Sequence, residues 1–100
     1  MRVYISGPMT GIEDHNYAVF DAMRDELLSR GYAVVNPADV ARKLIRSSVI
    51  TPERSDFLCA DIHALLDCDG IFLLPGWQAS EGALLEYQIA KSLGLDVLHE

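Results

Sequence analysis

Glu86 has the strongest claim to chemistry in this sequence. It closes the run Ser80-Glu81-Gly82-Ala83-Leu84-Leu85-Glu86, which reads as the first two turns of a helix. Its one-turn neighbours, Gly82, Ala83 and Ala90, are all small. On a helix lying against a sheet, such neighbours leave space beside the carboxylate that a substrate could fill. Ser80 sits at the helix start, where a hydroxyl and unpaired backbone amides suit an anion. The plainer reading is a solvated glutamate bordering a core stripe of Leu85, Ile89 and Leu93. Asp61 poses the same question, because Leu58, Asp61 and Leu65 share one helix face. It is either exposed after all or a functional acid, since acids are rarely buried without partners.

A loop of small and turn-forming residues, Ser6-Gly7-Pro8-Met9-Thr10-Gly11, follows a short β-rich run. Gly7 and Gly11 let the backbone approach a ligand, and Ser6 and Thr10 add hydroxyls, which suits a phosphate or a sugar. It is neither a Walker loop nor a dinucleotide fingerprint, and a strand-to-helix turn needing glycine explains it equally well. Tyr4 precedes this loop with its ring in the expected core. Its hydroxyl needs a partner, and Glu86 would serve. Met9 and Trp77 could flank a flat base, although a loop tryptophan is more often a packing anchor. His15, His63 and His99 have no metal-ligand spacing with each other or with Cys59 and Cys68, so no metal is assigned. No Ser-His-Asp arrangement can be assembled.

The elements that must position these residues alternate. Arg2 to Ser6 reads as a strand. Tyr17, Phe20, Met23, Leu27 and Leu28 recur at helical spacing up to a stop at Gly31. Tyr32 to Val35 is a second strand, closed by Asn36-Pro37, and Ala38 to Arg46 a short helix. Thr51-Pro52-Glu53 reads as the start of a helix to about Asp67. Gly70 to Leu74 is the most apolar strand, expected to be central and covered on both faces. Ser80 caps a last helix through Leu93, and Leu95 to His99 is a final strand. This order implies an α/β Rossmann-like or flavodoxin-like three-layer sandwich. Its parallel sheet has about four strands in the order 2-1-3-4, with helices on both faces. Ligands bind such sheets outside the carboxyl ends of the strands, which selects residues 6–11, 36–39 and 75–82. Asn36 joins the candidate binding residues on that ground.

Bulk properties set the limits. One hundred residues, half of them hydrophobic, suit a single domain spanning 1–100. A chain this short buries only about 60–65% of its unfolded surface, and pairing of subunits would bury more. The net charge of −7 argues against non-specific nucleic-acid binding. No apolar run is long enough for a signal peptide or a membrane span. Cys59 and Cys68, nine residues apart on one expected helix, lie too far apart for a disulfide. They read as reduced, partly buried thiols of a cytoplasmic protein.

Taken together, Tyr4-x-Ser6-Gly7, Asp61, Cys68-Asp69-Gly70-Ile71 and Ser80-x-Gly82-Ala83-x-x-Glu86 resemble the nucleoside 2-deoxyribosyltransferase superfamily. They are closest to its branch of 2′-deoxynucleoside 5′-monophosphate N-glycosidases and related small phage-associated proteins. The resemblance spans nearly the whole chain. It implies that Glu86 is the nucleophile at the anomeric carbon, that Asp61 assists departure of the base and that Tyr4 orients the nucleophile. It makes the loop from Ser6 to Gly11, with Gly7, Met9 and Thr10, the sugar and phosphate loop; Asn36, Trp77 and Gly82 remain candidate binding residues on their positions alone. Six residues before the nucleophile, the transferases carry Asp. Ser80 stands there, as in the monophosphate hydrolases, where that serine binds the 5′-phosphate. Those hydrolases often carry Arg in the first loop, and residues 6–11 contain none. Leu74-Pro75-Gly76 and Gly82-Ala83-x-x-Glu86 also resemble, faintly, the cytokinin-activating phosphoribohydrolases.

The expected function is therefore N-glycosidic cleavage of a nucleoside 5′-monophosphate through a covalent Glu86–sugar intermediate. Deoxyribosyl transfer to another base is the near alternative, and a non-catalytic nucleotide-binding module the distant one. A carboxylate that traps the sugar carbon and a second acid that protonates the leaving base need no metal or redox cofactor. The expected partners are a small nucleotide or nucleoside and further copies of the chain, as a homodimer or higher homo-oligomer, with neither nucleic acid nor membrane. Any C-terminal contribution to a neighbouring site would come from Leu98, His99 and Glu100.

Overall fold

Alternating side chains on one short strand organise the molecule. In the computed structural model, which describes residues 1–99, β1 (Arg2–Ser6) turns Val3 and Ile5 to one face and Tyr4 and Ser6 to the other. Glu100 lies outside the described residues. On the first face Val3 and Ile5 join Phe20 and Leu27 of α1 (Tyr17–Ser29) and Ala38 of α2 (Pro37–Ser47). On the second, Tyr4 joins Leu65 of α3 (Arg54–Leu66) and Ala90 of α4 (Glu81–Ser92). β2 (Ala33–Val35), β3 (Gly70–Leu73) and β4 (Asp96–His99) complete a parallel sheet in the order β2-β1-β3-β4. This is the expected α/β architecture, strand order included. β3 is buried throughout, as its unbroken apolar run requires. Among the described residues no helix is long and apolar enough to cross a membrane.

Local chemistry sets the boundaries. Asn36 caps α2 by accepting the backbone N–H of Ala38 at 3.1 Å, with Pro37 at the first helical position. Ser80 caps α4 by accepting from Ala83 N–H at 3.3 Å. α3 begins later than Thr51-Pro52 suggests. Glu53 is its cap, with its backbone N–H donating to the Asp56 carboxylate at 2.8 Å, a closure that Pro52 could not make without an N–H. α3 also ends before Cys68. Cys59 is exposed on the helix, whereas Cys68 is buried beyond it, and both thiols are free.

Gly7 is required by close approach. A Cβ there would sit 2.7 Å from Leu74 Cβ, because Leu74 N–H donates to the Ser6 carbonyl at 2.8 Å and draws the two strand ends together. Before α1, Asp14, His15 and Asn16 all take left-handed backbone conformations, with φ of 51°, 54° and 62°. Each costs on the order of 1 kcal/mol. The turn is tied down where Asn16 Nδ2 donates to the Pro8 carbonyl at 3.1 Å.

Candidate active site

Tyr4 and Ser6 stand two residues apart on β1, so their hydroxyls rise from the same face of the sheet. Glu86 comes down on them from the second turn of α4. Tyr4 donates to Glu86 Oε2 at 2.5 Å and Ser6 donates to Oε1 at 2.7 Å. Tyr4 and Ser6 are fully buried and Glu86 is only 6% exposed. The carboxylate can descend this far because α4 lays its small residues on the sheet. Ala83, Glu86 and Ala90 form the buried face. This corrects the expected stripe: Leu85 and Leu93 are exposed, and only Ile89 is partly buried among the three. A helix packed through alanines sits closer to its sheet than one packed through leucines, and that closeness brings the acid within reach of β1.

The Glu86 carboxyl opens onto a cleft of about 1020 Å³ at the carboxyl ends of the strands. Gly7, Pro8, Met9 and Thr10 form one wall, and Ala79 to Ala83 at the start of α4 form another. Pro37, Ala41 and Ile45 of α2 and Arg54, Phe57, Leu58 and Asp61 of α3 face them. His15, Tyr17 and Phe20 complete the lining. Tyr17 is held there by Arg42, whose guanidinium lies 4.8 Å from the ring centroid while bonding Asp21 at 2.8 Å. A Cβ added at Gly82 would meet nothing within 4 Å, so this glycine keeps open the space one turn before Glu86.

Electrostatics divide the two acids. Burial pushes the Asp61 carboxyl up to about 8, with the Glu86 charge adding to it. Asp61 therefore holds a proton at neutral pH. Burial also raises Glu86, but the hydrogen bonds from Tyr4 and Ser6 oppose that rise. Burial first, then the Glu86 charge, pushes the Tyr4 phenol well above its ordinary value and keeps it a donor. Two carboxyls in one cleft, one accepting a hydroxyl on each oxygen and one whose proton burial retains, are the kind of arrangement that acid-assisted substitution needs.

Other candidate residues lie elsewhere. Ser6 does not line the cleft; its hydroxyl is committed to Glu86. Gly11, with φ of 80°, serves a turn outside the cleft. Asn36 is buried as the α2 cap, and its Nδ2 donates to Asp21 at 3.0 Å. Trp77 stacks tilted against Tyr87 at 4.7 Å and lines a separate cavity of about 460 Å³ beside His99. Sequence reasoning missed Arg54. It stands seven residues before Asp61 on the same helix face and brings a cation to the cleft, with its Nη2 3.2 Å from Glu81 Oε2. Among the described residues, no group of His, Cys, Asp and Glu side chains is placed to hold a metal ion.

Residues 1–99 match the family described as Domain of unknown function (DUF4406). No curated protein shows a significant match to the chain.

Proposed function

The chain belongs to the DUF4406 family, and we propose that it is an N-glycosidase acting on a nucleoside or 2′-deoxynucleoside 5′-monophosphate. The observation that carries this reading is the buried Glu86 carboxylate. It takes one hydroxyl donor on each oxygen and shares an open cleft with a protonated Asp61.

The chemistry follows from the two acids. Glu86 attacks C1′ of the sugar as the C1′–N bond to the base breaks through an oxocarbenium-like state. The electron pair of that bond goes to the base, which takes the Asp61 proton directly or through water. A sugar ester on Glu86 remains. Water then adds at C1′, its proton passes to the now ionised Asp61, and the free sugar phosphate leaves with Glu86 restored. If a second base takes the place of water, the same steps give deoxyribosyl transfer. Tyr4 stays protonated throughout and holds the carboxylate.

The phosphate end is supported by the start of α4. The Ser80 hydroxyl and the free amides of Glu81 and Gly82 meet the cleft there, with Arg54 beside them, paired to Glu81. Arg54 supplies the cation that residues 6–11 lack. The apolar lining from Tyr17, Phe20, Phe57 and Leu58 suits the flat face of a base. Homo-oligomerisation fits the apolar side chains exposed on α3 (Leu66), on α4 (Leu85) and at the C-cap of α4 (Leu93).

The test is release of free base, followed by chromatography, from a panel of ribo- and deoxyribonucleotides and nucleosides. Release from monophosphates, abolished in a folded Glu86→Ala variant, is the expected result. Full activity in that variant would overturn the mechanism. No release from any compound, with or without an acceptor base, would favour a nucleotide-binding module.

A further inference from the structure

Glu86 and Asp61 are both raised by burial, so burial alone does not decide which of them keeps the proton. What separates them is hydrogen bonding. Each oxygen of Glu86 accepts a hydroxyl from β1, whereas the Asp61 carboxyl takes no hydrogen bond among the described residues. Tyr4 forms part of the cleft wall, but Ser6 does not. Ser6 is fully buried and spends its single proton on Oε1. A hydroxyl sealed away from the ligand, with its donor aimed at the nucleophile, acts on the nucleophile alone.

We infer that Ser6 is a positioning residue that, with Tyr4, assigns the shared proton to Asp61 and fixes the carboxylate plane for attack. This rests on the N-glycosidase reading of the same site. The titratable groups coupled to Glu86 are Tyr4 from β1 and Asp61 from α3, and His15, Tyr17 and Arg54 line the same cleft. On its own helix, the nearest acid is the exposed Glu81. A neutral hydroxyl does not itself titrate, so its removal acts only through the stability of the Glu86 anion. A donor lost from a carboxylate raises the proton affinity of that carboxylate. In Ser6→Ala, Glu86 competes with Asp61 for the proton, and the two carboxyls titrate as a pair rather than in separate steps.

The experiment follows the carboxyl carbons of Glu86 and Asp61 by NMR, across pH, in the wild type and in Ser6→Ala. The pH profile of kcat/KM is measured on the same proteins. The expected result is an upward move of the Glu86 titration and of the acid limb of the profile. Activity on that limb should fall about tenfold more than at the plateau, the effect of losing one charge-assisted hydrogen bond. KM at the plateau should stay unchanged. Ser6→Thr keeps the donor and should restore the wild-type titration; Ser6→Cys, a weaker donor of nearly the same size, should fall between and substitutes if the alanine variant does not fold. A Glu86 titration unmoved in a folded Ser6→Ala or Ser6→Cys protein overturns the assignment. The NMR arm needs no turnover. A protein that releases no base yet shows the titration shift would refute the proposed activity while upholding the role of Ser6.

Discussion

Asp61→Asn makes the protein more stable at neutral pH and loses that advantage in acid. Asp61 moves from an ordinary value of 3.8 to about 8 in the folded chain. Its folded value is raised, so the native state binds more protons than the unfolded chain between those two values. Stability therefore falls as pH rises from about 3.8 and levels off above about 8. Each pH step of one in that window costs about 1.4 kcal/mol. From 3.8 to neutral pH the ceiling is about 4 kcal/mol, and water in the open cleft screens this to about 2 kcal/mol. Asparagine is neutral in both states and escapes the loss. For a domain of this size, about 2 kcal/mol raises the melting temperature by roughly 10 °C. Urea and thermal denaturation of both proteins at about pH 4.5 and about pH 7.5 read the difference directly. The gap should open at the higher pH and nearly close at the lower. Equal gaps at both values, or none at neutral pH, would refute the claim that burial holds a proton on Asp61. Base release by the variant should be reduced at neutral pH, because asparagine has no proton to give.

Gly82→Ala tests whether the glycine serves the cleft or the helix. The backbone has room for a Cβ, so the variant should melt no lower than the wild type and up to about 1 kcal/mol more stable. Base release should fall markedly; unchanged kinetics would show that the space beside Glu86 is not used. Arg54→Ala and Ser80→Ala should each raise KM for a monophosphate by roughly tenfold, on the order of one hydrogen bond to a charged group, and leave nucleoside turnover nearly untouched. Equal effects on both substrate classes, read from paired kinetics, would remove the case for phosphate recognition at the start of α4.

The alternation of strands and helices was legible because each element carries its own period and its own stop signal. Tyr4, Asp61 and Glu86 were legible because an acid or hydroxyl among apolar or small neighbours has no ordinary place to go. The candidates that fall outside the cleft have one thing in common. Ser6, Asn36 and Trp77 are polar or aromatic residues near strand ends, where binding and structural roles look alike in one dimension. Asn36 in fact carried a usable signal, since Asn before Pro marks a helix cap. Trp77 finds Tyr87 ten positions on, a pairing that no local pattern marks. The face shared by Leu58 and Asp61 extends back one turn to Arg54, so that residue was within reach of the same helical spacing. Tyr17, Phe57 and Ile45 were not, because a cleft wall exists only where α1, α2 and α3 approach one another.

The bonds that define Glu86 join residues 82 and 80 positions apart. Nearly the whole chain must be present before the first strand meets the last helix. A ribosome-bound chain ending anywhere before α4 has Tyr4 and Ser6 but no carboxylate between them, and closing so long a loop comes late in folding. The Glu86 carboxylate thus gains its two hydroxyl donors only when α4 docks on β1, and a copy that stops before α4 lacks that carboxylate altogether. For a protein proposed to destroy nucleotides, this order of assembly confines the reaction to finished molecules.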